Sequence, residues 1–451
     1  MSSDMGCKCS KDFAGHLPKV VYRPLRPHGA SIPPPFTVIH RLKHVGPLGF
    51  EQPFRISACC FIPDDDNMLI TLSTLSVQDA ARPFRAGFVQ SWDLQDTESG
   101  HDDSLFTYSP KPTLSVSPDG GLVGAILNSG RRQLIIAERD KECTLEPCKI
   151  ECVSRTGDEN LSARTACCVF APCGTIAVTV SNVTLSVTRG TEINEICLWR
   201  VDGRTFQSRW KSSCEVILPN FSGSLLSLVF SPDSSLIALS TSHGQVYVIR
   251  SSNLEICQTL KHDRSVGESC FCQFDPRFAF NKLTACFSNG TFKVWRLDED
   301  NPICMKSRNI SEDSCKITCF SYCPDGALIA FGLSNGTVHV YDTEFYKFLY
   351  IVNQDQYVIP RAGRGLSVCS VSFPKTCQQI AVGYNNSYVC IWQLPVKMEL
   401  QHLCRIVINQ LVPANRIHEL PLPKSLKAYL LYTFLNLDER EVTECQTSSQ
   451  Q

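Results

Sequence analysis

The sequence predicts an all-β fold, a seven-bladed β-propeller, ending in a short helical hook. Two observations predict it. A pattern of short apolar strands separated by Gly, Pro, Asn and Asp turns recurs seven times along the 451 residues. After Trp392 the apolar spacing then changes from strand-like to helical.

The unit of the repeat is an apolar strand, an aromatic residue near a proline, an Asp/Gly turn, a second strand, a Gly turn, and a third strand closed by Trp or a substitute. In the fourth copy these are Leu226 to Phe230, Ser231-Pro232-Asp233, Leu236 to Leu239, Ser242-His243-Gly244 and Val246 to Ile249. The sixth copy repeats them with Cys319 to Tyr322, Pro324-Asp325-Gly326, Leu328 to Phe331, Ser334-Asn335-Gly336 and Val338 to Tyr341. Pro63, Pro118, Pro172, Pro232, Pro276, Pro324 and Pro374 mark the copies, and the third strands end at Trp92, Ile136, Trp199, Ile249, Trp295, Tyr341 and Trp392. One blade cannot bury both of its faces. Blades stacked in a ring can, which accounts for apolar residues on both sides of the inner strands. Ring closure needs a strand from the other end of the chain, and Phe36 to His40 is read as the outer strand of the seventh blade. The expected organisation is a lead-in over 1–35, disordered at first and Pro-rich from Pro24 to Pro35, a propeller over 36–394, a hook over 398–432 and a disordered tail over 433–451.

Composition bounds the function. Hydrophobic residues make up 43% and charged residues 19%, and the formal net charge is −1. That is a globular chain without a whole-molecule pull toward nucleic acid or anionic membrane. No apolar run reaches membrane-spanning length, and Met1 to Lys11 lacks the apolar segment of a secretion signal. The 25 cysteines are odd in number, and many sit in strand-like runs. They are read as free thiols packed as small hydrophobes in a reducing compartment, cytoplasmic or also nuclear. Cys143, Cys148 and Cys152 cluster locally, as do Cys7 and Cys9, but no nearby histidine completes a metal site, so no metal and no cofactor are expected. No phosphate-binding loop, nucleophile elbow or zinc-protease motif is present, and Asp64, Asp65 and Asp66 read as a solvated hairpin tip. A binding protein rather than an enzyme is expected.

In the hook, Leu400, Leu403, Cys404, Val407, Ile408 and Leu411 form a helical apolar stripe, and Pro413 limits it. Leu420-Pro421-Leu422-Pro423 follows as a stiff extended strip that sets two leucines outward, and then a short amphipathic helix carries Leu426, Tyr429 and Leu430 on one side.

The repeats resemble the WD repeat family. Trp92-Asp93 and Tyr341-Asp342 match its signature, and Trp199-Arg200 and Trp295-Arg296 keep only the tryptophan. The hook resembles a SOCS box: Leu400, Cys404 and Ile408 match its first element, and Leu420 to Pro423 with Leu426 and Tyr429 match its second. Glu399 departs from the Ser, Thr or Pro usual before the leucine. Together they resemble the WD repeat and SOCS box-containing proteins. That resemblance implies a non-catalytic substrate receptor of a cullin-RING ubiquitin ligase, promoting ubiquitination and proteasomal degradation of a protein that the sequence does not name. Leu400, Leu403, Cys404, Val407 and Ile408 would bind elongin C, joined by elongin B, and Leu420, Pro421, Leu422 and Pro423 would select cullin-5 with its RING partner. The alternatives are a plain WD-repeat scaffold, or a cullin-4 receptor, whose Trp-Asp-x-Arg ending Trp92-Asp93-Leu94-Gln95 lacks.

Substrate contact is expected on the rim of the second-to-third turns. Two of those turns read as long, Leu75 to Gly87 and Asn182 to Ile193, and the link Gln354 to Gly365 is long as well. Arg82, Arg85, Arg361 and Arg364 would suit an acidic or phosphorylated segment there.

Overall fold

The computed structural model describes residues 38–43, 55–63, 65–77, 84–95, 101–108, 114–128, 132–139, 145–151, 162–185, 191–200, 211–218, 225–261, 270–277, 281–297, 301–310, 315–352, 365–394, 404, 408, 412 and 414–430. The expected lead-in over 1–35 and tail over 433–451 lie outside them.

Among the described residues, 28 strands pair antiparallel into seven four-stranded sheets. Six sheets follow chain order and span 55–108, 114–151, 162–218, 225–261, 270–309 and 317–352. The seventh takes three strands from 368–393 and its outer strand from Val38–Lys43. That outer strand pairs Val38 with Trp392 and Lys43 with Tyr388, so the two ends of the propeller region share one sheet. First strands of consecutive sheets lie against each other, and Arg55–Ile62 of the first sheet lies against Val368–Ser372 of the seventh. The architecture is an all-β propeller with a small helical C-terminal region.

Burial follows position in the sheet. Leu328–Leu333, a second strand, is buried throughout, whereas Pro302–Asn309, an outer strand, has no buried residue. Among the described residues, the core forms six clusters, each bridging two neighbouring sheets. Leu42, Ile56, Phe61, Leu69, Trp92, Ala381, Val389 and Ile391 join the first sheet to the seventh. Polar ties cross the same boundaries. The amides of Phe61, Phe170, Cys272 and Tyr322 donate to Ser372 Oγ (3.1 Å), Ser115 Oγ (3.2 Å), Ser227 Oγ (3.0 Å) and Gln273 Oε1 (3.3 Å) of the adjoining sheet. A buried amide left without a partner costs ~1–3 kcal/mol, so these bonds fix how the sheets stack.

The proline turns join first to second strands, and three of them share one construction. Ser117 Oγ donates to Asp119 Oδ1 (2.6 Å) and accepts from the Leu122 amide (2.8 Å). Ser231 and Asp233 repeat this with the Leu236 amide, and in the sixth sheet Cys323 and Asp325 repeat it with the Leu328 amide. The closing tryptophans Trp92, Trp199, Trp295 and Trp392 are buried. Trp92 Nε1 donates to Thr71 Oγ1 at 2.7 Å, and Trp199 Nε1 to Thr179 Oγ1 at 2.9 Å, in each case on the neighbouring second strand.

Asp66 corrects the reading of a solvated tip. It lies in the strand Asp65–Val77, and its Oδ1 accepts the Lys375 amide of the seventh sheet at 2.6 Å. Asp65 accepts the Asn67 amide locally, and Asp64 lies outside the described residues.

Candidate functional site

The chain leaves the propeller at the end of the seventh sheet. Leu394 is buried, and its amide donates to Gln378 O at 2.8 Å, which pins the exit beside the proline turns. Seven residues separate Trp392 from Leu400. The exit is therefore on the rim opposite the second-to-third turns, with a short tether beyond it.

In the hook, Cys404 and Ile408 are both helical and one turn apart, so they share a face. Cys404 is exposed, with a free thiol, and Ile408 is half-buried. The Val412 amide donates to Ile408 O at 2.8 Å, a bond of helical spacing. Leu400, Leu403 and Val407 lie outside the described residues. A 3-10 helix, Ala414–Glu419, comes next and was not read from the sequence. It buries Ile417, and the Leu420 amide donates back to Ile417 O at 3.2 Å.

The strip departs from expectation in how it faces. Leu420 and Leu422 are half-buried, whereas Pro421 and Pro423 are exposed. The Leu422 amide bonds to Leu420 O at 2.8 Å, a tight local turn that draws the leucines inward instead of leaving them splayed. Pro423 O then accepts the Lys427 amide at 3.0 Å and starts the helix Lys424–Leu430. Its Leu430 is buried but Leu426 is 41% exposed, so this helix offers an apolar side chain to solvent near its start. Lys427 Nζ donates to His418 O at 2.8 Å and ties the helix to the 3-10 turn.

The expected substrate rim needs correction. The two long turns are mostly strand. Asp65–Val77 and Phe84–Asp93 stay paired out to Val77 opposite Phe84, and Ile176–Leu185 and Thr191–Arg200 out to Leu185 opposite Thr191. Extended pairing continues because residues such as Thr74, Leu75, Val77 and Val183, Thr184, Leu185 suit strands, and this outweighs the Gly, Ala and Pro nearby. Arg85 belongs to that pairing, opposite Ser76. Arg82, Arg361 and Arg364 lie outside the described residues, as does 353–364. Two long hairpins in the first and third sheets thus replace two long loops.

Metal-capable side chains converge once among the described residues. Donor atoms of Cys323, Asp325 and Cys377 all lie within 4.8 Å of one another, between the sixth and seventh sheets. Sequence reading missed them because they belong to different repeats. Of the earlier cysteine clusters, Cys148 sits in a strand opposite Ile136, and Cys7, Cys9, Cys143 and Cys152 lie outside the described residues.

Two family profiles match the chain. The SOCS box matches residues 398–431, all but the last residue of the hook. The WD domain, G-beta repeat, matches residues 305–342, which run from the outer strand of the fifth sheet through three strands of the sixth. Together, a WD repeat and a SOCS box in one chain are the combination that defines the WD repeat and SOCS box-containing proteins, which this chain resembles. It is similar to WD repeat and SOCS box-containing protein 1 of Danio rerio, 28% identical over 116 residues, covering 26% of this chain. The match spans 25% of that relative's length.

Proposed function

We propose that this WD repeat and SOCS box protein is the non-catalytic substrate receptor of a cullin-5 ubiquitin ligase. Its box would engage elongin C, partnered by elongin B, and its propeller would hold the protein to be ubiquitinated and degraded. The observation that carries this reading is the hook itself: an exposed Cys404 and half-buried Ile408 on one helical face, then the Leu420-Pro421-Leu422-Pro423 strip, on a short tether from the seventh sheet.

The chemistry is helix-in-groove binding. Leu400, Leu403, Cys404, Val407 and Ile408 would fill an apolar groove on elongin C. Full burial of one leucine contributes ~1.5–3 kcal/mol, enough for a few such side chains to dominate the contact. Pro421 and Pro423, with Leu420 and Leu422 behind them, and exposed Leu426 would face the cullin side. The substrate would sit on the opposite rim, between the long hairpins of the first and third sheets, with Arg82, Arg85, Arg361 and Arg364 drawing an acidic or phosphorylated segment. In this reading the seven sheets are the blades of one closed ring, a rigid spacer between substrate and ligase. Free cysteines agree with a cytoplasmic or nuclear setting.

Affinity-tagged full chain, expressed with elongin B, elongin C and cullin-5, tests the proposal. The wild type is expected to retain all three. Leu420→Ala with Pro421→Ala should keep the elongins and lose cullin-5. Retention of none by the folded wild type would overturn the reading, and loss of elongins and cullin together in the double variant would make the strip an internal brace.

A further inference from the structure

Three of the proline turns, in the second, fourth and sixth sheets, are near copies, which makes departures among them informative. In the second and fourth sheets the residue before the turn proline is Ser117 or Ser231, and in the sixth it is Cys323. The hydrogen bonds are the same in all three: the side chain donates to the turn aspartate and accepts an amide five residues on. Nothing in that pattern requires sulfur.

A second departure lies opposite. The turn position with left-handed backbone is Gly120, Gly174 and Gly326 in the second, third and sixth sheets, with φ of 68°, 72° and 73°, and Ser234 in the fourth, with φ of 63°. In the seventh sheet it is Cys377, at φ 55°. The equivalence is fixed by the closing bond, Gly326 N to Cys323 O at 2.9 Å and Cys377 N to Pro374 O at 3.0 Å. A non-glycine side chain there carries some strain, which Ser234 also bears, so what sets Cys377 apart is its sulfur. Each cysteine thus stands where a sibling turn uses glycine or serine. What the two share is a sulfur aimed at one point. Both are fully buried, and with Asp325 their donor atoms lie within 4.8 Å of each other.

We propose that Cys323, Cys377 and Asp325 form a binding site for a single zinc-class metal ion that clips the sixth sheet to the seventh. Two sulfurs and one carboxylate are a borderline-soft donor set, which excludes the oxygen-seeking magnesium and calcium. Zinc takes thiolates at ~2.3 Å in a tetrahedron, which places two sulfurs ~3.8 Å apart, a small closure from the present limit. Binding is balanced by proton release: each S–H gives its proton to solvent as an S–Zn bond forms, and the carboxylate binds as it stands. The Leu328 amide, 3.0 Å from Cys323 Sγ, remains a donor to the thiolate and orients it. Asp325 is half-buried, so water can complete the fourth position. The clip would join the sixth sheet to the seventh, which takes its outer strand from the N-terminal side and precedes the box.

The turns themselves supply the test variants. Cys323→Ser and Cys377→Gly install residues that sibling turns already carry, so both are expected to fold. Full-length wild type and each variant are purified with zinc, exchanged into metal-free reducing buffer, and assayed for zinc per chain by mass spectrometry. Wild type should carry one zinc more than either variant. Cadmium loading should give the wild type a stronger thiolate charge-transfer band. Equal zinc in all three proteins overturns the proposal. So does a Cys323–Cys377 disulfide in the zinc-purified wild type, which would assign the pair to a covalent link instead. If one variant fails to fold, the other decides alone.

Discussion

Gly383→Ala tests whether the propeller closes on itself as the core clusters require. Gly383 lies in the second strand of the seventh sheet, Gln379–Tyr384. A Cβ there would stand 2.5 Å from Ile56 Cγ2 of the first sheet and 2.5 Å from Ser370 Oγ. Both neighbours are buried, Ile56 completely, so neither can swing into solvent. Contacts that short force the two sheets apart or push side chains off rotamer, which costs ~1–3 kcal/mol. That is a ~5- to 150-fold loss in the folding equilibrium. Urea denaturation of the full chain reads it directly, with Gly365→Ala as control, since nothing lies within 4 Å of a Cβ there. The control should change stability by no more than ~0.5 kcal/mol. Ile56→Ala alone should cost ~2–5 kcal/mol as a cavity, yet combined with Gly383→Ala it should cost less than the sum, because each change relieves the other. If Gly383→Ala behaves like the control, or the pair is additive, the first and seventh sheets do not meet at this distance and the closed ring is wrong.

Other predictions follow from single contacts. Trp199→Phe keeps the aromatic body but leaves Thr179 Oγ1 without its 2.9 Å donor, and should cost ~1–3 kcal/mol in the same denaturation assay. Arg277→Met removes the guanidinium from the fully buried Asp275 carboxylate, leaving it the amide of residue 277, and should cost ~3–5 kcal/mol, whereas Arg277→Met with Asp275→Asn should recover much of it. Burial opposes ionisation of Asp233, but hydrogen bonds from Ser231 and Ser235 outweigh it and hold its pKa below the ordinary value. A depressed carboxylate stabilises the fold above its unfolded pKa of ~3.9 and loses that contribution as pH falls through the folded value. The difference between wild type and Asp233→Asn should therefore be present at neutral pH and vanish in acid; a gap that widens on acidification would refute the sign.

The sequence shows its propeller where local rules decide. Each turn proline sits between a first and a second strand, and each closing aromatic on a third strand, because both are set within a few residues of chain. The outer strand of the seventh sheet was readable because a ring has to borrow one, although it runs Val38–Lys43 instead of starting at Phe36. The hairpins of the first and third sheets were not readable. Asp79-Ala80-Ala81-Arg82-Pro83 has the composition of a loop, and only pairing across the sheet shows how far strand continues on either side. Asp66 looked solvated because its partner, the Lys375 amide, is 309 residues away. The same distance problem hid Cys323 and Cys377, which belong to different repeats and meet only once the sheets stack. In the hook, helical spacing predicted Cys404 and Ile408 as helix, but the inward turn of Leu420 and Leu422 depends on the 3-10 helix before them.

The receptor reading rests on whether the first helix of the box binds elongin C through its apolar face, and one titration measures that. Purified elongin B–elongin C is titrated calorimetrically into the full-length wild type and into Leu400→Asp. Wild type should bind one elongin pair per chain. Leu400→Asp would bury an unpaired carboxylate in the groove, an effective penalty of several kcal/mol, and should abolish detectable binding while the far-ultraviolet circular dichroism of the propeller stays unchanged. Equal binding by wild type and variant, or no binding by a folded wild type, would contradict the account.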